Sequence, residues 1–247
     1  VTGDLGILDH AGWRELRLAR PDRGNALSEP LVGALAQALD AAVADDVPLL
    51  VLRGEGRHFC TGFDLSDLED LSDGDLLARF VRIEMLLDRV ARLSVPTLVL
   101  AQGRTMGAGA DLFAACRYRL LLVDAKISFP GVNFGLVLGT RRLARRIGAD
   151  AARDILLSGR TVDAAGAQAL GLAGQTIEAG TEDAAVAGIL ARETRLPRAT
   201  AHALEEALAD PADSDGDLAR LVRSAVAPGL KDRILAYRAT LAAARKT

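Results

Sequence analysis

Thr97-Leu98-Val99-Leu100-Ala101-Gln102-Gly103-Arg104-Thr105-Met106-Gly107-Ala108-Gly109-Ala110-Asp111-Leu112 decides the fold. Its first five residues are apolar or β-branched and read as a buried strand. Three glycines follow, and residues 108–116 read as a short helix. Residues 49–52 form an earlier apolar strand, which runs into Arg53-Gly54-Glu55-Gly56 and on through Cys60-Thr61-Gly62-Phe63-Asp64. The order of strand, glycine loop and helix occurs twice, which predicts an α/β fold with a parallel sheet and right-handed crossovers. In such sheets ligands bind where strands end and helices begin. Glycine backbone lets a ligand oxygen approach main-chain N–H groups, and a helix N-terminus adds partial positive charge. Two such donors aimed at one point stabilise an oxyanion, each worth about 3–4 kcal/mol of barrier lowering.

Outward from these loops, residues 5–9 and 13–18 predict a hairpin around Ala11-Gly12. Ser28, Glu29 and Pro30 open a helix whose apolar face is Leu31, Leu35, Ala38, Leu39 and Ala42. An acid-rich stretch over 64–75 precedes a long amphipathic helix over about 76–93, stopped by Pro96. Residues 118–123 predict a third strand and residues 172–177 a further one. From Leu138 the chain reads as mostly helical, with Gly148, Gly159 and Gly171 as punctuation. After Pro197 it reads as helix broken at Pro211 and Pro228. The expected division is a core over 1–196 and a helical subdomain over 197–247.

Composition narrows the function. With 50% hydrophobic and 26% charged residues in 247, the chain is long enough for one buried core and too apolar for disorder. A net charge of -3 gives no basic surplus for nucleic acid. Cys60 and Cys116 lack metal-ligand spacing, so no metal is expected, and they read as reduced thiols. No apolar run approaches the roughly 20 residues of a membrane span. Val1-Thr2-Gly3-Asp4 lacks the pattern of a secretory leader. The expectation is a cytoplasmic protein with no nucleic-acid or membrane partner. There is no Walker loop, and the glycine spacing does not suit a dinucleotide site.

Several ordered pieces carry a resemblance. These are Arg20-Pro21-Asp22-Arg23-Gly24-Asn25-Ala26-Leu27, Phe59-Cys60-Thr61-Gly62-Phe63-Asp64-Leu65, Gly107-Ala108-Gly109-Ala110-Asp111-Leu112, Gly139-Thr140-Arg141-Arg142-Leu143, Leu157-Ser158-Gly159, and Gly171-Leu172-Ala173. The set, spanning roughly residues 5–177, resembles the crotonase (enoyl-CoA hydratase/isomerase) superfamily. The resemblance implies a spiral of ββα turns with a C-terminal helical region that packs a homotrimer or a dimer of trimers. It implies an acyl-CoA thioester as partner, with coenzyme A entering as part of the substrate and no separate cofactor. It also implies an oxyanion hole from the backbone N–H groups of Phe63 and Ala108. On the substrate side it implies Arg23, Gly24, Ala26, Phe59, Thr61, Gly62, Asp64 and Gly107, with Lys231 toward the CoA phosphates.

The resemblance breaks on the reacting side. Hydratases of this family carry two carboxylates over the acyl chain. Asp111 stands at one position, while Asn133 aligns with the other and cannot exchange a proton at neutral pH. The expected activity is hydration of a 2-enoyl-CoA to a 3-hydroxyacyl-CoA, with Asp111 as acid/base. The alternatives are an enoyl-CoA isomerase, another enolate reaction such as decarboxylation or thioester hydrolysis, and a non-catalytic acyl-CoA-binding paralogue. Apart from the resemblance, Asp64, Asp67, Glu69 and Glu84 read as solvated acids, Glu84 being a candidate substitute for the missing carboxylate. His58 reads as a solvated loop residue and Cys60 as a small buried hydrophobe. Arg141, Arg142, Arg145 and Arg146 read as a solvated or subunit-facing stripe.

Overall fold

The computed structural model describes residues 3–208 and 214–244. Pro211 and the first two residues, for which expectations were stated, lie outside the described residues. The hairpin forms as β1 (Leu5–His10) and β2 (Trp13–Leu18), paired antiparallel. The Ser28 hydroxyl accepts from Leu31 N–H at 3.3 Å and starts α1 (Glu29–Ala44). β3 (Leu50–Gly54) then lies parallel to β2. The long helix α2 (Asp73–Arg92) starts three residues before its expected position. Ser72 and Asp75 form a capping box there, with Asp75 N–H on the Ser72 hydroxyl and the Asp75 carboxylate on Ser72 N–H.

The second repeat follows as β4 (Thr97–Ala101), β5 (Arg104–Met106), α3 (Ala108–Ala115) and β6 (Tyr118–Leu122). The chain continues through β7 (Lys126–Ser128), α4 (Thr140–Ile147), α5 (Ala149–Ser158), β8 (Val162–Asp163) and α6 (Ala164–Ala169). β9 (Gln175–Ile177), α7 (Glu182–Glu193), α8 (Arg198–Leu208), α9 (Ser214–Ala225) and α10 (Leu230–Ala244) complete it. The main sheet has the order β1-β2-β3-β4-β6-β9, parallel from β2 onward. A small second sheet, β5-β7-β8, was not expected.

The apolar strands are continuous because the sheet is covered on both faces. Leu50, Leu52, Val99, Ala101 and Leu121 share one cluster with α1, α2 and α3. Leu49, Val51, Leu98, Leu100 and Leu120 point the other way, onto Val186 and Ile189 of α7. A third cluster joins Leu76 and Phe80 of α2 to Leu221 of α9 and to Leu230 and Ile234 of α10. This last cluster sits beside the glycine loops. Among the described residues no helix is long and apolar enough to cross a membrane.

Candidate active site

The two glycine loops meet edge to edge. Cys60 N–H donates to Arg104 O at 3.3 Å, and Met106 N–H donates to Cys60 O at 2.9 Å. The first loop is also paired on its other side. Leu27 N–H donates to Gly62 O at 2.7 Å, and Asp64 N–H donates to Leu27 O at 3.3 Å. In extended chain, neighbouring residues direct their polar groups to opposite sides. The groups flanking Phe63 are turned to Leu27, so the Phe63 N–H is turned away from it. That N–H finds no acceptor among the described residues. Ala108 is the first residue of α3, where a helical N–H has no partner within the helix. Its N–H also finds no acceptor among the described residues.

Gly62 brings these two amides to one place. Its φ of +100° belongs to glycine. A Cβ there would lie 2.8 Å from Met106 O and 3.5 Å from Ala108 N. A cavity of about 240 Å³ opens at this contact, lined by Phe63, Ala108 and Asp111. Thr61, Gly62 and Gly107 also line it, as do Phe80, Leu136 and Leu138. α10 supplies Ile234, Tyr237 and Leu241, three contributors that sequence reasoning missed. Leu230, Ile234, Tyr237 and Leu241 recur with helical period, but apolar residues such as Leu235, Ala236 and Ala239 lie between them, so no single inward face stood out.

Asp111 is 5% exposed, and its carboxyl accepts no hydrogen bond among the described residues. Burial pushes its pKa well above the ordinary 3.8, Arg142 pulls it down and Glu84 raises it further. Burial thus holds the proton on this carboxyl to higher pH than water would.

The other expected site residues fall into two groups. Thr61, Gly62, Phe63, Gly107, Ala108 and Asp111 converge on the cavity. Asn133 does not line it. It is exposed on the 3-10 turn Pro130–Phe134, beside Gly159 and facing the Tyr237 hydroxyl. Phe59 is fully buried, with its N–H on Gln102 O at 2.9 Å, so its side chain packs the loop from within. Ala26 is buried, and its carbonyl accepts from Arg20 Nη1 at 2.6 Å. Gly24 packs on Thr61, while Arg23 is exposed beside it. Lys231 Nζ donates to Glu69 O at 2.5 Å and is not among the residues lining the cavity.

Three readings of charged residues need correction. Asp64 is buried rather than solvated, with Arg20 Nη1 at 2.8 Å and Ser66 N–H at 3.0 Å. Burial raises its pKa, but the bonds from Ser66 and Arg20 outweigh that and leave it below the ordinary value. Glu84 does not line the cavity; it is 2% exposed and held by Arg142. The arginine stripe is partly inward: Arg142 is 7% exposed, and Arg146 donates to Ala114 O and Cys116 O at the end of α3. The cysteine reading agrees with the structure, since burial pushes the Cys60 thiol up to about 12. His58 is half-buried, and its Nδ1 accepts from Arg104 N–H at 3.1 Å. Burial, with Arg104 and Arg57, lowers its pKa and favours the neutral ring.

Asn25 joins the pieces and had no assigned role. It is fully buried at φ +54°. Its Oδ1 accepts from Arg20 N–H at 2.8 Å, and its Nδ2 donates to Glu55 O at 2.9 Å and His58 O at 2.7 Å. Asn25→Ala strips all three bonds and leaves a strained backbone, so a loss of about 3 kcal/mol is expected in urea unfolding. A loss under about 1 kcal/mol contradicts that role.

The sequence profile of the family described as enoyl-CoA hydratase/isomerase matches residues 10–223. The chain belongs to that family, the crotonase superfamily. It is 46% identical to a crystallised Bordetella parapertussis protein described as an enoyl-CoA hydratase/isomerase. That likeness covers 96% of this chain and 98% of the other, with a TM-score of 0.92. An enoyl-CoA isomerase/hydratase of Mycosarcoma maydis is 33% identical over 65% of this chain and 64% of its own length. The human mitochondrial methylglutaconyl-CoA hydratase is 33% identical over 64% of this chain and 48% of its own length. The matched part thus spans from about half to under two thirds of these curated relatives.

Proposed function

We propose that this chain binds an acyl-CoA thioester, stabilises its enolate on the N–H groups of Phe63 and Ala108, and hydrates a 2-enoyl-CoA through Asp111. The carrying observation is the Asp111 carboxyl, buried at the cavity wall with no hydrogen bond. A neutral carboxylic acid can serve both halves of the addition. One oxygen gives its proton to the α-carbon, and water oxygen bonds to the β-carbon. The second carboxyl oxygen takes the proton that this water loses, so the acid ends as it began. Charge building on the thioester oxygen rests on the two amides. The CoA arm leaves the cavity past Thr61, Gly24 and Arg23. Assembly as a homotrimer, or two stacked trimers, belongs to the same proposal.

A second reading is favoured by one observation: Asp111 is the one carboxyl among the described lining residues. Moving a double bond needs a single base, which carries a proton from one carbon to another. The two readings demand opposite resting states, acid for hydration and carboxylate for isomerisation.

Loss of the conjugated enoyl absorbance of crotonyl-CoA measures hydration, and its gain from a 3-enoyl-CoA measures isomerisation. Hydration is expected to be fastest at low pH and to fall as pH rises through the raised Asp111 pKa. A hydration rate that climbs over that range overturns the neutral-acid mechanism. Absence of calorimetric binding of any CoA thioester removes the proposal altogether.

A further inference from the structure

Helix α3 packs against both α2 and α4. Each of the three helices places one ionisable side chain in the interior: Glu84 on α2, Asp111 on α3 and Arg142 on α4, at 2%, 5% and 7% exposure. Arg142 Nη2 donates to both Glu84 carboxylate oxygens, at 2.5 and 2.6 Å. Its Nη1 stands 3.7 Å from Asp217 on α9. Its Nε is buried and has no acceptor among the described residues. Gly139, the residue that caps α4 ahead of Arg142, lies directly against the Asp111 carboxyl. A guanidinium with an unused donor is thus held on the helix that abuts an acid with no hydrogen bond.

We propose that Arg142 is a positioning residue whose pairing with Glu84 decides whether Asp111 keeps its proton, and so which reaction the site favours. The proposal rests on the reading of Asp111 as the acid. The guanidinium is bonded to Glu84 and acts on the buried Asp111 carboxyl through its charge alone, in a region sheltered from water. While Glu84 holds that charge, Asp111 has no counter-ion, and its neutral form is favoured. Neutralising Glu84 releases Arg142 to favour the Asp111 carboxylate. The remaining charges around the cluster do not replace Glu84. Asp217 is farther from Arg142 and is shared with Arg141 and Arg220, at 3.1 and 3.0 Å. Asp88, one turn along α2, is engaged by Arg92 at 2.8 Å.

The test reads Asp111 itself, in the substrate-free full chain. Protein carrying 13C at the aspartate carboxyl is titrated by NMR, and the Asp111 signal is assigned by its loss in Asp111→Asn. Glu84→Gln is expected to lower the Asp111 midpoint by about one unit or more, a tenfold change in ionisation. At neutral pH the hydration kcat falls by a similar factor, the 3-enoyl-CoA proton shift gains, and thioester affinity stays within about twofold. Glu84→Gln combined with Arg142→Gln removes both charges and returns the midpoint toward wild type. Arg142→Gln alone leaves Glu84 unbalanced and moves the midpoint upward. It serves as an independent arm should Glu84→Gln unfold.

An Asp111 midpoint unmoved in Glu84→Gln, or moved in the same direction by Glu84→Gln and Arg142→Gln, overturns the proposal. If wild type binds no thioester, the functional reading falls, yet the NMR titration still decides the electrostatic coupling.

Discussion

Asp111→Asn is expected to cut turnover by about 10²–10⁴ and to yield a chain more stable than wild type at neutral pH. The two effects share one cause. The carboxyl is buried without a hydrogen bond, so burial raises its pKa above the 3.8 it has in water. Between 3.8 and the raised folded value, the folded state holds a proton that the unfolded state has released. Stability therefore falls as pH rises through that window, by about 1.4 kcal/mol per unit, and levels off above the folded pKa. Asparagine does not titrate, so its advantage is absent near pH 3 and grows with pH. For a chain of this length, each kcal/mol raises the melting temperature by about 2–4 °C. Meanwhile the amide cannot deliver a proton, and loss of a positioned general acid costs about 10²–10⁴ in rate. Thioester affinity is kept, because asparagine has nearly the same volume and the loop amides are untouched. Melting curves from pH 4 to 8, beside calorimetric binding and turnover, decide it. Stability curves that run parallel across that range deny the unpaired acid, and wild-type turnover denies its role.

On the proposed reading such a site trades stability for chemistry, and local sequence rules fail where that trade is made. The buried strands were legible because Leu49–Leu52 and the run after Pro96 are apolar on both faces of a covered sheet. The loops were legible because glycines stood after strands at the same place twice. The start of α2 was hidden in an acid-rich stretch. Those acids belong there: Asp73 and Asp75 lie in the first turn, where they complement the helix dipole. β5, β7 and β8 are two or three residues each. Strands so short exist through loop pairing and leave no periodic signal.

The charged cluster was misread for a related reason. Arg142 and Arg146 recur at helical spacing, as a solvated stripe does. Their partners, Glu84 and the carbonyls ending α3, lie 58 and at least 30 residues away in sequence. Composition gives no hint that these distant groups meet, and the same holds for Tyr237 over the cavity. Asn133 shows the converse. Alignment by motif order set it opposite Asp111, but the tight turn after Phe129 directs it outward, while Val132 and Phe134 on either side line the cavity.

Gly109→Ala is expected to cut turnover by about 10²–10³ while leaving Asp111 in place, the loss expected when one oxyanion donor is misdirected. Gly109 lies in the first turn of α3, beside the Ala108 amide, where alanine is otherwise the better helix former. Substitution therefore gains in local propensity, and any loss must come from contact. The contact is severe. A Cβ at 109 would lie 2.5 Å from Cys60 O, and 2.8 Å from both Cys60 Cβ and Sγ. Cys60 O is not free to move aside, because it accepts Met106 N–H at 2.9 Å in the seam between the loops. The methyl group must part α3 from the first loop, and that separation spreads the Phe63 and Ala108 amides. Rate should therefore fall more than affinity if, as proposed, the amides grip the developing charge more strongly than the ground-state carbonyl. Cys60→Ala removes the sulfur and leaves the carbonyl, so it should not rescue Gly109→Ala. Full rescue by Cys60→Ala would assign the clash to the thiol alone, and undiminished turnover in Gly109→Ala would detach catalysis from the paired amides.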